Sequence, residues 1–204
     1  MRIAIVGGTG DFGAALATQL VAAGQDVVIG SRDAQRARAS AAEIGAAGEA
    51  NEDAVRGAEL VVLAVKADAA LETARQLADA IGETPLLSVA SELRFTKGGV
   101  LPGDDSRSLA ERTAELVRAP VAAGLHSLAA VSLADSRAEG DALVCGDEPA
   151  KSLALELASL VVTGRALDVG PLASARALEG LTAVIVNLNK RYRAHAGVEI
   201  TGLH

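Results

Sequence analysis

The stretch Ile3-Ala4-Ile5-Val6-Gly7-Gly8-Thr9-Gly10-Asp11-Phe12-Gly13 decides the fold. A short apolar run ends in a glycine-rich turn, and an amphipathic segment then continues to Gly24. A second apolar run, residues 27–29, is closed by Gly30-Ser31-Arg32. Strand, glycine turn, helix and strand follow one another, with Gly8-x-Gly10-x-x-Gly13 in the turn. This is the layout of a dinucleotide-binding unit. A pyrophosphate needs backbone N–H groups aimed at it and no Cβ in the way, which Gly8 and Gly10 provide. Gly13 lets the helix lie close on the strand, and the helix N-terminus presents partial positive charge to the anion.

The end of the second strand selects the dinucleotide. An NAD site usually places Asp or Glu there, about 20 residues past the glycines, to hold the ribose 2′-hydroxyl. This chain has Gly30, then Ser31 and Arg32, with Arg36 one helical turn further on. A hydroxyl and two guanidinium groups suit a 2′-phosphate, so the reading favours NADP over NAD, with Asp33 as the one contrary charge.

Working outward, residues 34–44 read as an alanine-rich helix and Asn51 as the cap of a short helix stopped by Gly57. Residues 59–65 form an apolar run of the kind buried on both faces of a parallel sheet. A helical period follows to Gly82, then a strand over 85–90. The βαβαβ alternation specifies an α/β protein with a Rossmann-type, doubly wound, mostly parallel sheet. From 91 to 105 the period fails, and a loop at the carboxyl end of a strand is expected. Ser106 or Ser108 caps the next helix. A strand over 120–128 carries His126, another spans 142–146, a helix opens at Asp147-Glu148-Pro149, a short strand covers 166–169, and the last long helix runs from 174 to about 194.

Composition bounds the function. The chain has 204 residues, half of them hydrophobic, and Phe12, Phe95 and Tyr192 are its aromatic residues, so the core is expected to be close-packed and aliphatic. A net charge of −7 argues against nucleic-acid or membrane-surface roles. One cysteine, Cys145, excludes an internal disulfide and reads as a small core residue in a reducing cytoplasm. No apolar run is long enough to span a membrane, and no signal peptide is expected from the residues before the first strand.

Beyond the turn, candidate residues are sparse. Val65-Lys66 follows the strand that passes beside the nicotinamide half of such a cofactor; Lys66 is either an anion contact or a solvated strand end. His126 is either an acid–base group or a hydrogen-bonded structural histidine. His195 and His204 show no metal-ligand spacing, and no metal site is expected. The Tyr-x-x-x-Lys pair of carbonyl reductases is absent. Reducing a carbonyl usually needs a proton donor, whereas hydride exchange between two ring carbons needs mainly geometry.

The glycine turn, Gly30-Ser31-Arg32, Val144-Cys145-Gly146-Asp147, Leu167-Asp168-Val169-Gly170-Pro171-Leu172, Glu179-x-Leu181-Thr182 and Asn187-Leu188-Asn189-Lys190-Arg191-Tyr192 together resemble the NADPH-dependent reductases of coenzyme F420. The stretch His195-Ala196-Gly197-Val198-x-Ile200-Thr201-Gly202-Leu203 is similar to their bacterial members. The resemblance implies an NADP-binding Rossmann domain over residues 1–146. A small, mainly helical domain over 147–204 then closes the cleft over the deazaflavin. It implies an oxidoreductase that moves hydride directly between NADP(H) and F420, the latter as co-substrate. Thr9, Ser31, Arg32 and Arg36 would hold NADP, Asp11, Phe12, Val65 and Ala90 would border the cofactor, and Thr182 would lie near the reacting rings. The chain departs from the family at Val89-Ala90-Ser91-Glu92-Leu93-Arg94, where an Asn-Pro-Leu-like segment is common, and at Lys66, where some members carry Pro-Trp. Arg94, Lys97 and Arg107 are candidates for the acidic tail of the deazaflavin. Alternatives are an NADPH-dependent reductase of a flavin or an imine, and a non-catalytic NADP sensor. A cytoplasmic location is expected, and the last helix packs either within the subunit or in a homodimer.

Overall fold

The computed structural model describes residues 1–203; His204, weighed above as a metal ligand, lies outside the described residues. The first half runs β1 (Arg2–Val6), α1 (Asp11–Ala22), β2 (Asp26–Ser31), α2 (Ala34–Ile44), β3 (Ala47–Ala50), α3 (Asn51–Val55), β4 (Leu60–Leu63), α4 (Ala67–Ile81) and β5 (Leu86–Ser88). A hairpin follows, β6 (Leu93–Thr96) and β7 (Gly99–Pro102), then α5 (Leu109–Ala114), β8 (Val121–Gly124) and α6 (Ala130–Leu133). The chain ends with β9 (Ala142–Gly146), α7 (Ala150–Val161), β10 (Ala166–Asp168), a 3-10 turn (Leu172–Ser174) and α8 (Ala175–Tyr192).

One eight-stranded sheet has the order β10-β9-β8-β5-β4-β1-β2-β3. Strands β3 through β8 in that order are parallel, while β9 lies antiparallel to β8 and β10 is parallel to β9. The doubly wound, mostly parallel sheet anticipated from the alternation is therefore present. Winding reverses between β1 and β4, and a crevice opens at the carboxyl ends of strands at such a switch point.

The apolar runs have a direct packing reason. In β1, Ile3 and Ile5 belong to the core on one face of the sheet, and Ala4 and Val6 to the core on the other. Both faces exclude water, so alternation with polar residues vanishes. Residues 147–203 contribute β10 to this same sheet and α7 to its face before α8 crosses toward the hairpin. No helix among the described residues is long and apolar enough to cross a membrane.

Four local expectations need correction. Residues 93–102 form a hairpin rather than a loop, because Lys97-Gly98 makes a two-residue turn; β6 is largely exposed and shows no hydrophobic period. Strand β3 is not evident from the sequence because Ala-Gly-Glu-Ala carries almost no β propensity. It forms because Gly48 lets α2 lie close: a Cβ there would stand 2.4 Å from the Ala37 carbonyl. The cap of α3 is Ala50, not Asn51, which is the first helical residue. His126 lies beyond β8 on a turn begun by Leu125 at φ +64°, a conformation costly for a bulky side chain. Of the two serines weighed as caps, Ser108 caps α5, with Glu111 completing a capping box.

Helix α8 is tied to the hairpin. Asn187 accepts from the Val100 N–H at 2.8 Å and donates to the Val100 carbonyl at 2.7 Å. Arg176 donates to the carbonyls of Gly103 and Asp105. Buried Glu179 accepts from the Ala110 N–H at 3.4 Å, and burial pushes its carboxyl up to about 7. The tail after α8 is held by Asp141, which accepts from the Arg165 guanidinium at 2.8 Å and the Ile200 N–H at 2.8 Å. These donors hold the Asp141 carboxyl well below the usual range.

Candidate functional site

A cleft of about 480 Å³ opens beyond the carboxyl ends of β1, β2 and β4. Gly7, Thr9 and Gly10 form its floor, Ser31, Arg32, Arg36 and Asn51 one side, and Ala64, Val65 and Lys66 another. The tight turn belongs to Gly7, at φ +86°, where a Cβ would stand 2.7 Å from the Ala64 carbonyl oxygen. Gly8 is buried beneath, against Ile29, and Gly13 brings α1 so close that a Cβ would meet the Gly7 carbonyl at 2.6 Å. Gly10 precedes α1 without a side-chain cap, so the N–H groups of the first turn are free for an anion.

The 2′ side of the cleft resolves the question that Asp33 raised. Its carboxylate accepts from the N–H groups of Gln35, at 2.9 Å, and Arg36, at 3.2 Å, capping α2. Arg32 and Arg36 are exposed, and among the described residues neither forms an ion pair. Asn51 occupies the space where the acidic residue of an NAD site would project from Gly30: its Oδ1 lies 2.9 Å from where a Gly30 Cβ would stand. That oxygen is buried and has no hydrogen-bond partner among the described residues. The side chains present fit NADP: two guanidinium groups without ion pairs among the described residues, and an asparagine rather than a carboxylate beside Gly30, with Asp68 as the one carboxylate lining the cleft.

A second polar group lies at the ends of β5 and β8. Ser91 Oγ is 3.0 Å from His126 Nδ1 and 2.8 Å from Thr182 Oγ1, and Thr182 donates to the His126 carbonyl at 2.9 Å. His126 is 5% exposed, its Nε2 has no partner among the described residues, and burial lowers its pKa to about 4. The imidazole is therefore neutral near pH 7 and is no ready proton donor.

The structure thus gathers Thr9, Gly10, Ser31, Arg32, Arg36, Val65 and Lys66 around one cleft. Gly8 and Gly13 shape it from below, while Asp11 is exposed on the first turn of α1 and Phe12 packs against the core. Ala90 is buried beside Ser91, next to His126 and Thr182. Among the tail candidates, Arg94 is paired with Asp104 and Arg107 with Glu115, leaving Lys97 without an ion pair among the described residues. Cys145 is fully buried, and its thiol is pushed up to about 12. Sequence reasoning missed Gly7, Asn51 and Ser91. The positive φ of Gly7 is invisible in a run of glycines, Asn51 meets Gly30 only through the fold, and Ser91 gains its partners from distant elements.

Residues 2–92 match the family model described as NADP oxidoreductase, coenzyme F420-dependent. The F420-dependent NADP reductase of Methanothermobacter thermautotrophicus is 35% identical, with the match covering 100% of this chain and 96% of the relative. That of Methanocaldococcus jannaschii is 30% identical over 100% and 99% of the two chains. Among solved structures, an Arthrobacter sp. FB24 protein assigned as an F420-dependent NADP reductase superposes with a TM-score of 0.84 at 26% identity, covering 99% of this chain and 100% of that one. An imine reductase from Streptomyces aurantiacus shares the fold at 22% identity and a TM-score of 0.65, over 95% and 62% of the chains.

Proposed function

The chain belongs to the family of F420-dependent NADP reductases, and we propose from that premise that it transfers a hydride directly between NADP(H) and the deazaflavin coenzyme F420. The observation that carries the reading is the full-length match to reductases of this name. The cleft supports it. When bound, the two cofactors supply a hydride donor carbon and a hydride acceptor carbon, so the protein's task is alignment and exclusion of water.

Each residue has a part in that task. Ser31, Arg32 and Arg36 hold the 2′-phosphate, and Asn51 takes a ribose hydroxyl. Thr9, Gly10 and the open N-terminus of α1 cradle the pyrophosphate. Asp11 and Phe12 set the first turn of that helix over Gly8 and Gly13. Val65, Lys66 and Ala90 border the nicotinamide half. Thr182 and His126 stand at the acceptor ring, where a neutral imidazole orients rather than protonates. Residues 147–204 close the cleft by carrying Thr182 to Ser91 on α8. The exposed stripe Val184, Leu188 and Tyr192 on that helix suits pairing with a second copy, and the chemistry belongs in the cytoplasm.

The test mixes purified protein with NADPH and oxidised deazaflavin and follows deazaflavin absorbance. Bleaching is expected; none at any pH between 5 and 9, chosen as a range of about 2 units either side of neutral, would overturn the proposal.

A further inference from the structure

The contacts joining Ser91, His126 and Thr182 can be resolved by counting protons. The His126 carbonyl oxygen only accepts, so the 2.9 Å contact from Thr182 Oγ1 uses the single hydroxyl proton of Thr182. The 2.8 Å contact between Thr182 and Ser91 must then be donated by Ser91, which uses its one proton. With both hydroxyl protons placed, the 3.0 Å contact between Ser91 Oγ and His126 Nδ1 requires the ring proton to sit on Nδ1. The other ring nitrogen, Nε2, is then a bare lone pair, and it is buried with no partner among the described residues.

We infer that Ser91, itself oriented by Thr182, is a positioning residue that locks His126 in the Nδ1–H tautomer and so keeps Nε2 free to accept from an N–H donor on the hydride acceptor. The identity of that acceptor rests on the function proposed above. The imide N–H of a pyrimidine-dione ring, as carried by a deazaflavin, is a donor of this kind. Burial reinforces the arrangement by keeping the imidazole neutral, since an imidazolium would have no lone pair to offer.

The chain has three histidines, so nitrogen-15 NMR of the ligand-free protein reads the His126 ring directly, with His126→Gln giving the assignment. The expected wild-type spectrum is a single Nδ1–H tautomer. Ser91→Ala removes the acceptor and should give a mixture of tautomers, while Ser91→Thr should restore the wild-type form. Thr182→Val should also shift the ring toward Nε2–H, because Ser91 can then donate to Nδ1. A wild-type ring protonated on Nε2 overturns the proposal without any variant, and so does a Ser91→Ala spectrum identical to wild type in protein that still binds NADPH. In turnover, Ser91→Ala should raise the KM for deazaflavin about fivefold, the effect of one neutral hydrogen bond, with the KM for NADPH unchanged. An unchanged deazaflavin KM overturns the role of Nε2. A wild-type protein that binds NADPH but never reduces deazaflavin overturns the functional proposal alone and leaves the tautomer to be decided by NMR.

Discussion

Asn51 Oδ1 stands 2.9 Å from the position a Cβ on Gly30 would take, so the two residues divide one space between them. The glycine at the end of β2 removes the carboxylate that would repel a 2′-phosphate, and the asparagine from the start of α3 fills its place. Specificity for the phosphorylated dinucleotide is therefore a joint property of two elements.

Gly30→Asp alone should weaken both NADPH and NADH, because the new side chain collides with Asn51 before it can reach a ribose. Gly30→Asp combined with Asn51→Gly should recover NADH binding while leaving NADPH weak. Fluorescence titration with the two nucleotides checks this. Recovery of NADH binding by the single variant would show that the collision is not limiting.

Arg32→Ala should weaken NADPH by roughly 10- to 100-fold, the effect of losing a charge-assisted contact, and NADH far less. Equal losses for the two nucleotides, measured in the same titration, would show that Arg32 does not read the 2′-phosphate.

Asn187→Ala should loosen the β6–β7 hairpin. It removes the 2.8 Å and 2.7 Å bonds to Val100 and leaves that backbone pair without partners. A loss of about 1–3 kcal/mol in unfolding free energy is expected. Hydrogen exchange should accelerate over residues 93–102, with the sheet core unaffected.

The pH dependence of stability should show two opposed contributions. His126, lowered to about 4 by burial, takes up a proton in the unfolded chain first, so its contribution falls as pH drops from about 6.5 toward 4. Glu179, raised to about 7 by burial, takes up a proton in the folded state first, so its contribution rises as pH drops from 7 toward about 4.5. Each is worth about 3 kcal/mol at full extent. The two nearly cancel in the wild type. Urea unfolding at pH 7.5 and 5 should show His126→Gln gaining relative stability on acidification and Glu179→Gln losing it. The same pH response in both variants would contradict the assignment.

The legible parts of the chain were those whose physics is local. Residues 3–13 spell a buried strand and a phosphate turn because both-face burial demands continuous apolar residues and a close anion demands glycine. The hairpin over 93–102 was not legible, since its strands gain stability from Asn187 on α8 and not from their own pattern. His126 was misplaced in a strand because nothing local announces that Leu125 adopts a left-handed backbone. The C-terminal motifs marked α8 as important, but gave no hint of which side chains they meet.

The sequence by itself determined an α/β dinucleotide-binding protein that prefers a 2′-phosphate, because propensity, periodicity and charge act over a few residues. Only the tertiary structure decided that Asp33 is occupied as a cap, that Asn51 fills the space above Gly30, and that Ser91, His126 and Thr182 form one hydrogen-bonded group. Those relationships join residues up to 91 positions apart. They depend on how strands, turns and α8 are brought together, which no stretch of the chain specifies alone.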